Sequence, residues 1–284
     1  MKILVTGANG YLGTGIVNQL LKDGNEVMAT DISTERINKK ATIYQENLFD
    51  IEDPYRYFGE PDVLLHLAWQ DGFIHNAESH IRNLSDHALF LKKFFLSDID
   101  KIVVMGSMHE VGFYEGCIDE ATRTHPMSYY GIAKDSLRNF SSFMAKETNK
   151  KFQWLRAYYI VSNQPGGSSI FSKILEKAKN NEQDFPFTMG ENQYDFLDYD
   201  QFCLQVAATV EQDEIMGIIN ICSGYPIKLK ERVESFIAEN HLNIHLIYGA
   251  YPDRKYDSKA VWGNNEKIQK ILEKAKNKNT VSKV

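Results

Sequence analysis

The 284-residue chain has no long hydrophobic run. None of its apolar stretches approaches the ~20 residues of a bilayer-spanning helix. Cysteine is scarce: Cys117, Cys203 and Cys222 are odd in number and widely spaced. They supply neither a disulfide framework nor a metal-ligand pattern, and they point to a reducing cytoplasm. A basic block is missing too. Asp and Glu number 38 against 32 Lys and Arg, for a formal net charge of −6 and a pI near 5.8. This argues against a dedicated nucleic-acid binder, which must neutralise phosphates. There is no fixed-period repeat, low-complexity tract or Pro/Ser-rich linker, so any domain division must be a soft one. Lys2 precedes Ile3-Leu4-Val5, but that stretch is too short for the ~7–15 apolar residues of a signal peptide, and Gly7 ends it. The chain is expected to begin directly inside its fold.

What remains is the composition of an ordinary globular protein, 43% hydrophobic and 25% charged. The length accommodates one large domain or two small ones sharing a cleft, with a core that needs no staple. Short apolar runs alternate with amphipathic stretches along the first two thirds. Lys2–Thr6, Glu26–Thr30, Asp62–Ala68, Lys101–Met105 and Phe152–Tyr158 read as strands. Gly13–Asp23, Ser79–Phe95 and Ser128–Glu147 read as helices between them. This order implies an α/β fold with a doubly wound parallel sheet covered on both faces. Beyond about residue 160 the alternation loosens. Ser162–Ser168 is turn-rich, Ile170–Lys179, Asp200–Val210 and Leu229–Asn240 read as helices, and Tyr194–Tyr199, Gly217–Cys222 and Ile244–Ile247 as strands. From Asn264 onward, Ile268, Ile271, Leu272 and Ala275 share one helix face.

The strongest local signal is Thr6-Gly7-Ala8-Asn9-Gly10-Tyr11-Leu12-Gly13, directly after the first strand. Gly7 permits the tight exit turn, Gly10 lets backbone approach a pyrophosphate, and Gly13 lets the helix sit close on the sheet. The helix start then offers free N–H groups to the phosphates. Asp31 lies 18 residues past Gly13, at the end of the next strand. It can accept hydrogen bonds from both hydroxyls of an adenosine ribose and would repel a 2′-phosphate, so NAD is expected over NADP.

Tyr130 and Lys134 are four residues apart on the predicted helix 128–147 and share a face. A phenol of ordinary pKa near 10 is a poor proton-transfer group at neutral pH, and a neighbouring ammonium favours its phenolate. Ser107 follows a strand at the carboxyl edge of the sheet, where such folds bind ligands, 23 residues before Tyr130. Its hydroxyl can hold the substrate oxygen that Tyr130 protonates or deprotonates. Asn83, in the predicted helix 79–95, is placed to fix Lys134 through water.

Together these residues resemble the extended short-chain dehydrogenase/reductase superfamily, in its nucleotide-sugar epimerase/dehydratase/reductase branch, over nearly the whole chain. The resemblance implies a Rossmann-like NAD-binding domain over 1–160 and a small α+β substrate-binding lobe over 161–284, interwoven with it. Thr6–Gly13 is similar to the cofactor loop, Asn47-Leu48 to the adenine contact, and Leu67-Ala68-Trp69 to the third cofactor strand. Ser107, Tyr130 and Lys134 match the catalytic segments. Tyr194–Asp198 and Asn220–Gly224 resemble substrate-lobe segments. Dehydratases of the branch carry Asp-Glu directly after the catalytic Ser or Thr. Met108 and His109 stand there instead, so loss of water from the sugar is not expected. Tyr159 and Tyr194 replace the usual substrate-binding Asn and Arg. His109 is a candidate for substrate contact or acid–base work, and Trp69–His75 for lining the sugar pocket. His66, His75, His80 and His87 show no ligand spacing, and no metal is expected.

The resemblance implies hydride exchange between a nicotinamide and C4 of a nucleoside-diphosphate sugar. The favoured form is reduction of a 4-keto-6-deoxy sugar nucleotide with Tyr130 as general acid. A 4-epimerase that retains its NAD is the alternative, and a catalytically silent NAD-binding sensor or scaffold is the alternative of another class. A cytoplasmic homodimer paired through helices 79–95 and 128–147 is expected, with no nucleic-acid or membrane partner.

Overall fold

The computed structural model describes residues 1–163, 169–252 and 257–281. Most of the turn-rich segment Ser162–Ser168 therefore lies outside the described residues. The elements run β1 Lys2–Thr6, α1 Tyr11–Lys22, β2 Glu26–Asp31, β3 Thr42–Gln45, α2 Pro54–Tyr57, β4 Val63–His66, α3 Ser79–Arg82, α4 Leu84–Phe95, β5 Lys101–Ser107, β6 Gly116–Ile118, α5 Tyr129–Thr148, β7 Lys151–Ala157 and β8 Tyr159–Val161. There follow α6 Ile170–Lys179, β9 Asp184–Pro186, β10 Gln193–Asp198, α7 Tyr199–Val210, β11 Gly217–Ile221, β12 Pro226–Lys228, α8 Leu229–Glu239, β13 His245–Ile247, β14 Ala260–Gly263 and α9 Glu266–Val281.

Seven strands form one parallel sheet in the order β11-β7-β5-β4-β1-β2-β3. Alternate residues of its central strands feed two cores. Ile3, Val5, Val103 and Met105 meet α1, α7 and α9 through Ile16, Phe202 and Ile268. Leu4, Ile102 and Val104 meet α4 and α5 through Phe90, Phe94 and Leu137. Both faces are covered, which is why β1, β4 and β5 are near-continuous apolar runs. The strand order reverses between β1 and β4, so the loops leaving their carboxyl ends flank a ligand crevice.

A second sheet, β12-β10-β14-β6 with β8 also on β10, lies over a core of Phe171, Ile174, Phe196, Val233 and Phe236. Its strand β6 comes from the first half of the chain, while β11, α7 and α9 of the second half belong to the large sheet. Neither sheet is therefore cut cleanly at residue 160.

Several expectations need correction. Leu67-Ala68-Trp69 is not strand, because β4 ends at His66. The predicted helix 79–95 is two helices meeting at Asn83. Ser107 is the last residue of β5 rather than a residue beyond it. Strand β3 was not foreseen: Thr42-Ile-Tyr-Gln is a short, mostly exposed edge.

Candidate functional site

The glycine loop fills the crevice at the reversal. Gly7 holds φ +68°, and a Cβ there would sit 2.6 Å from the Ala68 nitrogen, so the two loops touch as backbone. A Cβ on Gly13 would lie 2.7 Å from the Ala8 Cα. Gly10 caps α1 without a side chain, and the first helical turn holds no acid, which leaves its N–H groups and positive dipole end for an anion. Tyr199, which sequence reading passed over, braces this turn from α7. Its hydroxyl accepts from Gly15 N at 3.1 Å and donates to Tyr11 O at 2.5 Å. Tyr11 places its ring against Phe73 and Tyr199, and Leu12 packs on the core.

Asp31 stands at the end of β2. Its carboxylate accepts from the amides of Asn9 (3.0 Å) and Ile32 (2.8 Å). Asn9 is tied in turn to Ser33 and to the Arg36 amide. Bare glycine backbone, a free helix start and an acid at the second strand end are what a dinucleotide requires, and the residues fit NAD. The other expected cofactor positions have local work. Asn47 caps the turn Leu48–Asp50, Leu48 is buried in the core, and Asn83 donates to Gln70 Oε1 at 2.9 Å.

Ser107, Tyr130 and Lys134 come together at the carboxyl end of β5. Ser107 caps the 3₁₀ turn Met108–Glu110, its Oγ accepting from His109 N at 3.3 Å, and its hydroxyl neighbours that of Tyr130. Lys134 is buried, donates to Met105 O at 2.9 Å, and places Nζ 3.8 Å from the centroid of the Trp69 ring. Burial pushes Tyr130 up to about 12, against the pull of the neighbouring Ser107 hydroxyl, and pulls Lys134 down to about 7, against the Glu110 charge. The cation over the indole face offsets part of that desolvation.

A ring of imidazoles surrounds this triad, and no spacing in the sequence announced it. His75 stacks on Tyr130 at 5.5 Å and lies 4.2 Å from His109. Burial pulls His109 down to about 4, so it stands as a neutral hydrogen-bonding group beside Tyr130. His80 accepts from Trp69 Nε1 at 3.0 Å and donates to Ile74 O at 2.9 Å. Behind Trp69, one proton order satisfies every partner. Ala68 N–H donates to Thr6 Oγ1 (3.3 Å), whose O–H donates to His66 Nδ1 (2.8 Å), whose Nε2–H donates to His87 Nδ1 (3.0 Å). His87 stacks on the indole at 4.5 Å.

Burial holds His87 down to about 3 against an ordinary value near 6.5. Below pH 6.5 the unfolded chain takes up a proton that the folded chain refuses, so acid lowers stability. From pH 7 to pH 5, His87 alone should remove about 2 kcal/mol. Urea unfolding at the two pH values measures this, and His87→Gln should flatten the slope. An unchanged slope in the variant would place the acid sensitivity elsewhere.

The remaining candidates lie apart from the triad. Met108 turns into an apolar cluster with Val111, Ile118, Tyr158 and Val261. Tyr159 packs in the second lobe, 4.7 Å from the Tyr194 ring. Glu110, which sequence reading did not single out, is fully buried with Arg156 at 2.6 Å and accepts from Trp154 Nε1 at 2.8 Å. Among the described residues no group of three or more His, Cys, Asp or Glu could hold a metal, and no helix is long and apolar enough to cross a membrane.

The sequence model of the NAD dependent epimerase/dehydratase family matches residues 3–222. The chain is 40% identical over 269 residues to a dTDP-6-deoxy-L-talose 4-dehydrogenase (NAD(+)) of Aggregatibacter actinomycetemcomitans, covering 93% of this chain and 99% of that protein. It is 24% identical to the dTDP-4-dehydro-6-deoxyglucose reductase of Escherichia coli, over 87% of this chain and 84% of that one. Among solved structures, the UDP-glucose 4-epimerase of Thermotoga maritima with UDP-glucose superposes with a TM-score of 0.80 at 23% identity, covering 95% of this chain and 92% of that one.

Proposed function

The chain belongs to the NAD dependent epimerase/dehydratase family, and within it we propose an NAD-dependent enzyme that interconverts the C4 hydroxyl and ketone of a dTDP-activated 6-deoxyhexose. The observation that carries this is the 40% identity, over almost the full length of both proteins, to a dTDP-6-deoxy-L-talose 4-dehydrogenase. The chemistry at C4 of a nucleotide sugar is that of an oxidoreductase, whose reductive direction is the 4-keto reduction expected from sequence. A retained-cofactor 4-epimerase is the second reading, supported by the likeness in fold to UDP-glucose 4-epimerase.

Gly7, Gly10, Gly13 and Asp31 would hold the NAD, which would accept or supply the hydride. The protein manages the proton. In the oxidative direction Ser107 Oγ would position the C4 hydroxyl and Tyr130 would take its proton once ionised, a form that Lys134 favours only while it carries its own proton. In the reductive direction Tyr130, which burial keeps protonated at neutral pH, is a competent donor to the far more basic alkoxide left at C4. The turn after Ser107 presents no Asp-Glu pair for eliminating water: Met108 is apolar and turned into a hydrophobic cluster, and the Glu110 carboxylate is buried against Arg156.

The test is stoichiometric. With dTDP-6-deoxy-L-talose and NAD⁺, absorbance at 340 nm should rise in step with the 4-ketone formed, one reduced cofactor per sugar. Inversion at C4 seen by NMR with no net absorbance change would replace this reading with the epimerase.

The three cysteines are unpaired, and the compartment we propose is the cytoplasm. We also propose a homodimer joined through α4 and α5, whose outer faces expose Leu89, Ile132 and Phe143. Sedimentation should give twice the chain mass, falling to one in Leu89→Glu.

A further inference from the structure

A cavity of about 380 Å³ opens between α5, β7 and the segment 120–125, and no residue of the triad or the glycine loop lines it. Its walls include Arg123, Arg138 and Arg156, with Thr122, His125 and Glu120. We infer that this cavity is a second ligand site, one that binds a phosphate group.

Arg156 carries the argument. It is fully buried on β7, its Nε donates to Glu110 Oε1 at 2.6 Å, and its NH1 donates to Asp119 O at 2.8 Å. Its remaining nitrogen, NH2, is buried and has no partner among the described residues. Arg138, on α5 one helical turn after Lys134, shows the same pattern. Its NH2 donates to Asp135 Oδ1 at 2.6 Å, while its buried Nε is unpartnered among the described residues. Two guanidinium groups that line one cavity thus each keep a buried donor that their carboxylates do not reach. Buried donors on charged groups are seldom left short of an acceptor, and a guanidinium pairs with phosphate oxygens as readily as with the carboxylates already engaged here.

The rest of the wall agrees. Arg123 is exposed at the cavity's edge and has no ion-pair partner among the described residues. Glu120, the one carboxylate on the wall, is engaged by Lys267. The volume exceeds that of a bare phosphate and falls within the range of small-molecule sites, so a phosphate monoester fits as well as the free ion. An occupied site would brace two elements of the triad: α5, which carries Lys134, and Arg156, which holds the turn after Ser107 through Glu110.

The experiment uses the full chain saturated with NAD, so that the pyrophosphate-binding loop is filled. Its thermal unfolding is followed against inorganic phosphate and, separately, glucose 1-phosphate, with potassium chloride holding the ionic strength constant. A saturable rise in Tm of about 3 °C at a tenfold excess over Kd is expected. The ester acting at lower concentration than the free ion would make a sugar phosphate the preferred source, and the reverse order would make it inorganic phosphate. Arg138→Gln should abolish the shift, and Arg123→Gln should weaken it at least tenfold. The second variant alters an exposed residue and keeps the test valid if the first does not fold. A shift no larger than that of chloride at equal ionic strength overturns the proposal, as does one undiminished in Arg123→Gln and Arg138→Gln. None of these readouts depends on turnover, so they stand or fall apart from the reading of the C4 reaction.

Discussion

Replacing Tyr130 by phenylalanine should leave a folded, NAD-binding protein whose kcat is lower by about 10²–10⁴-fold, the range that a single positioned acid–base group contributes. The change removes one oxygen and keeps the ring. The ring makes the packing contacts: it stacks on His75 and meets Trp69, His80 and His109 edge-on or tilted. The Tyr130 amide, which donates to His75 O at 2.9 Å, is untouched. What disappears is the hydroxyl beside Ser107 that, in the proposed reaction, exchanges a proton with the C4 oxygen. Stability and NAD affinity should therefore change little while turnover collapses. Cofactor titration by fluorescence, beside kcat and KM for the dTDP sugar, separates the two. Loss of NAD binding in step with kcat would make Tyr130 a structural residue and overturn its assignment. Lys134→Met should differ, because Lys134 lies against Trp69 beside the cofactor crevice, and both kcat and NAD affinity should fall.

The contrast between these residues and their surroundings explains what could be read in advance. Tyr130 and Lys134 are legible because one helical turn joins them, and Ser107 because a run of buried strand residues ends at it. Strands β1 and β5 announce themselves for the same reason: covered on both faces, they admit little but apolar residues. Strand β3 does not, since an edge of four half-polar residues has no period to display. Strands β6 and β14 are three and four residues long and exist through each other, Val261 pairing with Gly116. The imidazole ring around Tyr130 escaped for a related reason. His66, His75, His80, His87 and His109 come from a strand, a loop, two helices and a turn, and only the fold brings them to one wall. Asn83 is a further case, because a periodic apolar pattern runs straight through the break between α3 and α4. Glu110 reads as a loop acid close to Ser107, and nothing local shows that Arg156 waits for it on another strand.

Glu110→Ala should cost about 3–5 kcal/mol of stability, the penalty for stranding one charge of a buried pair. Both side chains are fully buried, so the Arg156 guanidinium that remains would face no carboxylate and no water, keeping only the Asp119 carbonyl among the described residues. Trp154 would lose the acceptor of its indole N–H in the same stroke. Replacing both partners, as Glu110→Met with Arg156→Met, removes the stranded charge. Its cost should be far smaller than either single change, because well-packed apolar groups often match or exceed a buried ion pair in stability. Urea unfolding of the two single variants and the double closes the cycle, and a double variant as unstable as the sum of the singles would show that the two residues act independently. The double variant also asks what the pair is for. Glu110 anchors the turn Met108–Glu110 to β7, and that turn begins at Ser107 and carries His109. If the ion pair serves only stability, the stable double variant keeps its kcat. If it holds Ser107 and His109 against Tyr130, kcat falls although the fold is intact, since a displacement of about 1 Å at a catalytic group can cost on the order of 10²-fold. The second outcome is the expected one. An ion pair that an apolar pair can replace without loss of stability has its reason in the position it fixes, and here that position is the turn directly after Ser107.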